Sequence, residues 1–266
     1  MHNTRPAAVA GMFYPGDAAT LGASVDQLLA ASHSPTAVQP KVLIVPHAGY
    51  VYSGATAALA YAELAPWRDR IRRVVLLGPT HRVAVNGMAL PTVDKFSTPL
   101  GEVPLDSAAI ARLVQFPQVV LSDQVHAQEH SLEVQLPFLQ KVLDNFSLIP
   151  LAVGNCPPSA VAEVINHLWG GPETLIVIST DLSHFLPYAE AQIVDANTCR
   201  HILNLDSHIR PDQACGAFPM NGLLLVAQQR QLTIQLIDLC NSGDTAGDKQ
   251  RVVGYAAFVL NEVNHD

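Results

Sequence analysis

The sequence predicts an α/β fold: one domain over residues 1–266, with a mainly parallel or mixed central sheet flanked by helices. Three observations predict it. Apolar runs of strand length, at 42–45, 174–179 and 252–260, alternate with amphipathic or alanine-rich stretches of helix length almost throughout. The composition, 49% hydrophobic and 14% charged, suits a chain that buries a large core, and it contains no repeat or low-complexity segment. The connections between elements are short, which favours one domain over two.

In chain order, Asp17 can cap a helix running to about residue 31, with Leu21, Val25, Leu28 and Leu29 on one face. Residues 32–40 read as a linker. The strand at 42–45 is stopped by Pro46, which has no N–H for a sheet ladder, and His47 follows at once. The alanine-rich stretch 54–64 predicts a helix packed closely on the sheet. A strand at 73–77 runs through Gly78, Pro79 and Thr80 into His81. Residues 85–90 and 94–97 predict a pair of short strands making an excursion from the main sheet. A helix is expected over 106–116 with Asp106 near its N-cap, and another over 129–143 with Leu132, Leu136 and Leu139 at helical spacing and a kink at Pro137. Then come a strand at 148–153, a helix at 158–169 and a strand at 174–179 that runs into Thr180, Asp181, Leu182, Ser183 and His184. Helices at 187–205 and 219–229, a strand at 232–239 ending beside Cys240, and a strand at 252–260 close the chain.

Four apolar strands thus deliver metal-capable or acid/base side chains just past their carboxyl ends, the edge at which open α/β sheets bind ligands. His47, His81 and Cys240 form a candidate metal set, because imidazole nitrogen and thiolate sulfur suit zinc, iron and copper, and three protein ligands leave a position open for chemistry. Asp181 and His184 are candidates for proton transfer, with the carboxylate fixing the imidazole's tautomer. Each residue alone has a plainer explanation: a turn-bonding histidine, a small buried thiol, an aspartate cap. The recurrence of one strand-end context favours the joint one. His126, Glu129 and His130 match the H-x-x-E-H pattern of inverted zinc peptidases. The competing expectation is a helix that starts near Gln128, leaving His126 outside it and His130 lining a pocket. The glycine-containing loop 241–249 lacks phosphate-loop spacing and is expected to shape the mouth of the site beside Cys240. No G-x-S-x-G elbow is present, which disfavours a serine hydrolase.

The net charge of −8, with scattered basic residues, argues against nucleic-acid binding. No apolar run reaches the length of a membrane span, and the N-terminal stretch has no secretory apolar core. Cys156, Cys199, Cys215 and Cys240 are far apart and form no C-x-x-C pair, so the expected setting is a reducing cytoplasm.

Seven stretches in order carry a resemblance: RPAAVAGMFYPGD, VPHAGYVYSG, LLGPTHR, FSTPLGEVPLD, EHSLEVQLPFLQ, STDLSHF and VGYAAFVL. Together they resemble the Memo family, whose microbial members are called AmmeMemoRadiSam system protein B. The resemblance covers nearly the whole chain. It implies a fold similar to the class III extradiol dioxygenases, which are non-haem iron enzymes, and a metal site at His47, His81 and Cys240 with Asp181 and His184 in the same pocket. It implies metal-dependent redox chemistry, with iron first and copper or zinc as alternatives, and His184, Asp181 and His130 as the catalytic groups. It also implies a possible association with AMMECR1-domain and radical-SAM proteins. Two other readings stay open: a non-catalytic module that holds a small molecule or peptide in the same pocket, and a zinc peptidase on the H-x-x-E-H segment.

Overall fold

The computed structural model describes residues 3–32 and 38–263. The linker expected at 32–40 therefore falls largely outside the described residues. In chain order the elements are β1 (Thr4–Arg5), α1 (Ala18–Ala30), β2 (Val42–Val45), α2 (Tyr50–Ala62), β3 (Arg73–Pro79), β4 (Met88–Leu90), β5 (Lys95–Thr98), β6 (Gly101–Pro104), α3 (Ser107–Leu113), β7 (Val119–Leu121), α4 (Asp123–Ala127), α5 (Leu136–Val142), β8 (Ser147–Val153), α6 (Pro158–Leu168), β9 (Thr174–Ser179), β10 (His184–Leu186), α7 (Tyr188–Leu203), α8 (Ala217–Gln229), β11 (Thr233–Asn241) and β12 (Val252–Asn261).

Among the described residues, nine strands form one mixed sheet in the order β10-β12-β2-β9-β3-β8-β4-β7, with β11 on β12. Its centre is parallel: β2, β9, β3 and β8 run the same way. β12 is antiparallel to β2 and to β11, so β11 points in the same direction as β2. Helices cover both faces. Along β2, Val42 and Ile44 pack into the core beneath α6 and α8, while Leu43 and Val45 pack into the core beneath α1, α2 and α5. This is the period-two alternation of a strand buried on both sides, and it explains why the run reads as uniformly apolar. The α/β expectation and the mixed sheet with flanking helices are what the structure shows.

Most expected elements are present. Asp17 caps α1 by accepting the Thr20 N–H at 2.9 Å, and Asp106 caps α3 through Ala109 N–H at 2.9 Å. Two expectations need correction. The segments at 85–90 and 94–97 do not pair with each other. Met88–Leu90 joins the main sheet between β8 and β7, whereas Lys95–Thr98 pairs with Gly101–Pro104 and Thr4–Arg5 in a separate three-stranded sheet. The nearer partner wins, because a tight turn closes that hairpin; Gly101, at φ +125°, takes a conformation that favours glycine.

Nor is 129–143 a kinked helix. It comprises a loop, a single 3-10 turn at Glu133–Gln135, and a new helix, α5, with Pro137 in its first turn, where the missing N–H costs nothing. Side-chain bonds from this segment explain the break. The buried Glu133 carboxylate pairs with Arg5 at 2.7 Å and accepts the N–H groups of Ala8 and Val9 and the hydroxyl of Tyr14. The N-terminal segment is thereby fastened to the loop that carries His130.

Candidate metal centre

The central strands β2, β9 and β3 lie side by side and run parallel, so they release their chains at one edge. His47 leaves β2 after Pro46, His81 leaves β3 after Thr80, and Asp181 leaves β9 after Thr180. His130 reaches the same place from the loop before α5. That loop lies flat on β3 because position 78 is glycine: a Cβ there would sit 2.9 Å from the Ser131 hydroxyl. Ser131 Oγ donates to the Pro79 carbonyl at 2.8 Å and fixes the approach.

The rings of His47, His81 and His130 come together with centroids 5.2, 5.5 and 4.6 Å apart. One ligating nitrogen from each lies within 4.8 Å of the others, so the three can hold a metal ion. The surrounding hydrogen bonds set the ring tautomers. The Ser179 hydroxyl donates its one proton to the Ser131 carbonyl at 2.6 Å and accepts from Gln135 Nε2 at 2.8 Å. Its contact with His47 Nδ1, 2.8 Å, must therefore be accepted by Ser179 from the ring. His47 is protonated on Nδ1 and has its lone pair on Nε2. His81 Nδ1 faces Glu129 Oε1 at 2.9 Å, an acceptor-only carboxylate, which leaves its Nε2 lone pair free in the same way. Glu129 also accepts the N–H groups of His81 at 2.5 Å and of His130 and Ser131 at 2.9 Å each. Burial alone would raise its pKa, but the hydrogen bonds from His81 and Ser131 hold it well below the usual carboxylate range.

His47 and His130 are held neutral. Burial, helped by the neighbouring imidazoles, pushes His47 far down, and burial takes His130 to about 4. A neutral imidazole with a free ring lone pair is the state that metal binding needs. Asp181 is buried beside the cluster. Its Oδ1 accepts the His47 N–H at 2.8 Å, and burial, opposed by that bond, raises its pKa to about 7. A cavity of about 460 Å³ opens onto the cluster, with His130, Asp181, His184, Tyr255 and Arg251 in its wall.

The structure redistributes the other expected site residues. Cys240 is not part of the converging set of ligand atoms. β11 continues through it to Asn241, it pairs with Tyr255 of β12, and its thiol lies 3.1 Å from the Thr56 hydroxyl on α2. The sulfur next to the cluster belongs to Cys215, 3.4 Å from His47 Nε2, and the sequence reading missed it. Burial and the charge of Asp181 raise the Cys215 thiol to about 12, so without a metal it is protonated and can donate to that nitrogen. A signal for Cys215 exists in the glycine that follows: a Cβ at Gly216 would lie 2.5 Å from Thr180 Cβ, so only glycine brings this turn against the end of β9.

Asp181 does not orient His184. His184 Nδ1 bonds the Leu182 carbonyl at 2.9 Å, which leaves Nε2 as the open nitrogen at the cavity rim. The H-x-x-E-H segment forms no ligand pair. His126 sits on the short helix α4, buried, with Nε2 2.9 Å from the Ala89 carbonyl, while His130 lies in the loop beyond it. The loop after β11 does shape the cavity mouth, through Ser242, Gly247 and Asp248.

Parallel strands that bring His47 and His81 to one edge, where a loop adds His130, define an α/β protein built around a candidate metal centre. The model of the Memo-like proteins matches residues 5–259. A MEMO1 family protein of Aquifex aeolicus is 34% identical, covering 96% of this chain and 98% of its own length. One of Ignicoccus hospitalis is 35% identical over 95% and 97%, and one of Methanobrevibacter smithii 31% over 96% and 99%. The chain belongs to the Memo family. No helix among the described residues is long and apolar enough to cross a membrane.

Proposed function

We propose that this protein is a metal-dependent redox protein in which His47, His81 and His130 hold a transition metal, iron in first place and copper or zinc as alternatives. The observation that carries this is the set of ring nitrogens within 4.8 Å, two of them with Nδ1 committed to Ser179 and Glu129. A cluster of imidazoles suits zinc, copper and iron, and three ligands leave positions open. Cys215 stands ready as a further donor, since a nearby cation favours its thiolate. A bound iron or copper would supply one-electron and Lewis-acid chemistry.

The chain's own groups serve that centre by moving protons. Asp181, with its pKa near 7, exchanges a proton at neutral pH on the buried side of the cavity. At the rim His184, whose pKa burial lowers, offers its open Nε2 as a proton acceptor. The test is metal content by mass spectrometry after anaerobic purification. Wild type and Cys240→Ala should carry near-stoichiometric metal, and His81→Ala and His130→Ala should carry little. Absence of metal from wild type, even after anaerobic reconstitution with iron, copper and zinc, would overturn the reading.

A further inference from the structure

Among the described residues lining the cavity beside the histidines, Arg251 is the one permanent cation. Among the described residues no carboxylate lies within ion-pair distance of its guanidinium. The acidic residue closest in sequence, Asp248, also lines the cavity, but its Oδ1 folds back to accept the N–H groups of Gln250 at 2.8 Å and Arg251 at 3.4 Å. It ties the loop without reaching the guanidinium. That guanidinium instead stacks 4.9 Å over the ring of Phe185. Phe185 is itself 59% exposed and held at φ +62°, a left-handed conformation that a bulky residue adopts at a cost. Phe185 sits at the bulge between His184 and Leu186 where β10 pairs with β12, and its exposed ring supports an arginine without a carboxylate partner at the mouth of the cavity. In a chain of net charge −8 that arginine is a local positive feature.

We infer that Arg251 anchors the oxyanion, a carboxylate or a phosphate, of a small acidic ligand whose opposite end faces the histidine cluster. This rests on reading the cavity as the mouth of the metal site. The planar guanidinium can grip such a group with two parallel hydrogen bonds, and Phe185 holds the plane in place. Phe13, Tyr52 and Tyr255 supply apolar walls for the body of the ligand.

The test is an NMR titration of the full chain, metal-loaded and metal-free, with benzoate, the neutral benzamide and inorganic phosphate. Benzoate matches the aromatic walls and differs from benzamide in charge. Wild type should bind benzoate at least about tenfold more tightly than benzamide, as a charge-assisted bidentate contact requires. Arg251→Gln should reduce benzoate to the benzamide level, and Arg251→Lys should restore part of the difference. Displacement of benzoate by phosphate assigns the anchor to oxyanions in general; failure of phosphate to compete assigns it to carboxylates. Equal affinity for benzoate and benzamide in wild type, or undiminished benzoate binding in a folded Arg251→Gln protein, would overturn the inference. Metal content measured on the same samples separates the two readings. A bound ion without Arg251-dependent benzoate binding removes only the anchor, and Arg251-dependent binding without an ion removes only the metal.

Discussion

Replacing Glu129 by glutamine tests whether the carboxylate behind the imidazoles builds the site. Glu129 is buried and accepts four hydrogen bonds: Oε1 takes His81 Nδ1 and the N–H groups of His130 and Ser131, and Oε2 takes the His81 N–H. Glutamine has the same shape but only one acceptor oxygen. Its best placement puts that oxygen where three donors converge and turns its NH2 group toward the His81 N–H, which is then left without an acceptor. One orphaned, part-buried donor costs up to about 1–3 kcal/mol, and the three surviving bonds lose their charge assistance. Glu129→Gln should therefore unfold in urea with a stability lower by about 2–4 kcal/mol. The proton on His81 Nδ1 is also less firmly held, and losing such an orienting partner lowers metal affinity by about 10–100-fold. Competition of zinc against a chromophoric chelator measures that loss on protein shown to be folded by circular dichroism. A change of less than about twofold in metal affinity would refute the claim that Glu129 fixes the ring.

Three further outcomes follow from other parts of the fold. Glu133→Ala leaves Arg5 charged and buried without its partner, and should cost about 3–5 kcal/mol in chemical denaturation; a loss below about 1 kcal/mol would mean that the N-terminal segment is not clamped there. Burial lowers His126 to about 4. The unfolded chain, with a histidine near 6.5, binds more protons between those values, so stability is full above pH 6.5 and falls as the pH drops toward 4, by up to about 3 kcal/mol from this group. His126→Gln should flatten that part of the stability-versus-pH curve, and an unchanged slope would contradict the assignment. Gly216→Ala places a Cβ 2.5 Å from Thr180 Cβ and 2.8 Å from the Ser179 carbonyl, so it should lower stability by about 1–3 kcal/mol in urea; wild-type stability would show that this turn is free to move.

The fold was legible where periodicity and punctuation coincide. Val42–Val45 and Thr174–Ser179 are apolar on both faces and bounded by Pro46 and Thr180, and both are strands as expected. His47 and His81 were legible for the same reason: each follows a strand whose end is marked. Cys240 misled because strand direction is readable and side-chain facing is not. β11 does point toward the site edge, but Cys240 faces Thr56 of α2. Cys215 follows no strand, and the turn that brings it in depends on a glycine contact across the fold. The segment at 129–143 has helical spacing at Leu132, Leu136 and Leu139, and a local pattern cannot reveal that Glu129 and Glu133 are claimed by His81 and Arg5. His130 owes its place to those two claims.

β2, the strand that delivers His47, lies between β9 and β12, and β12 is the last of the described strands: Ile44 is paired with Phe258. About 200 residues of sequence separate those partners, and at roughly 5–20 residues per second a ribosome takes on the order of 10–40 s to supply them. During that interval His47 and His81 are already made but have no completed sheet edge to hold them. The edge from which His47 emerges is therefore a late product of folding: its strand gains its second neighbour only once residues 252–261 have been made.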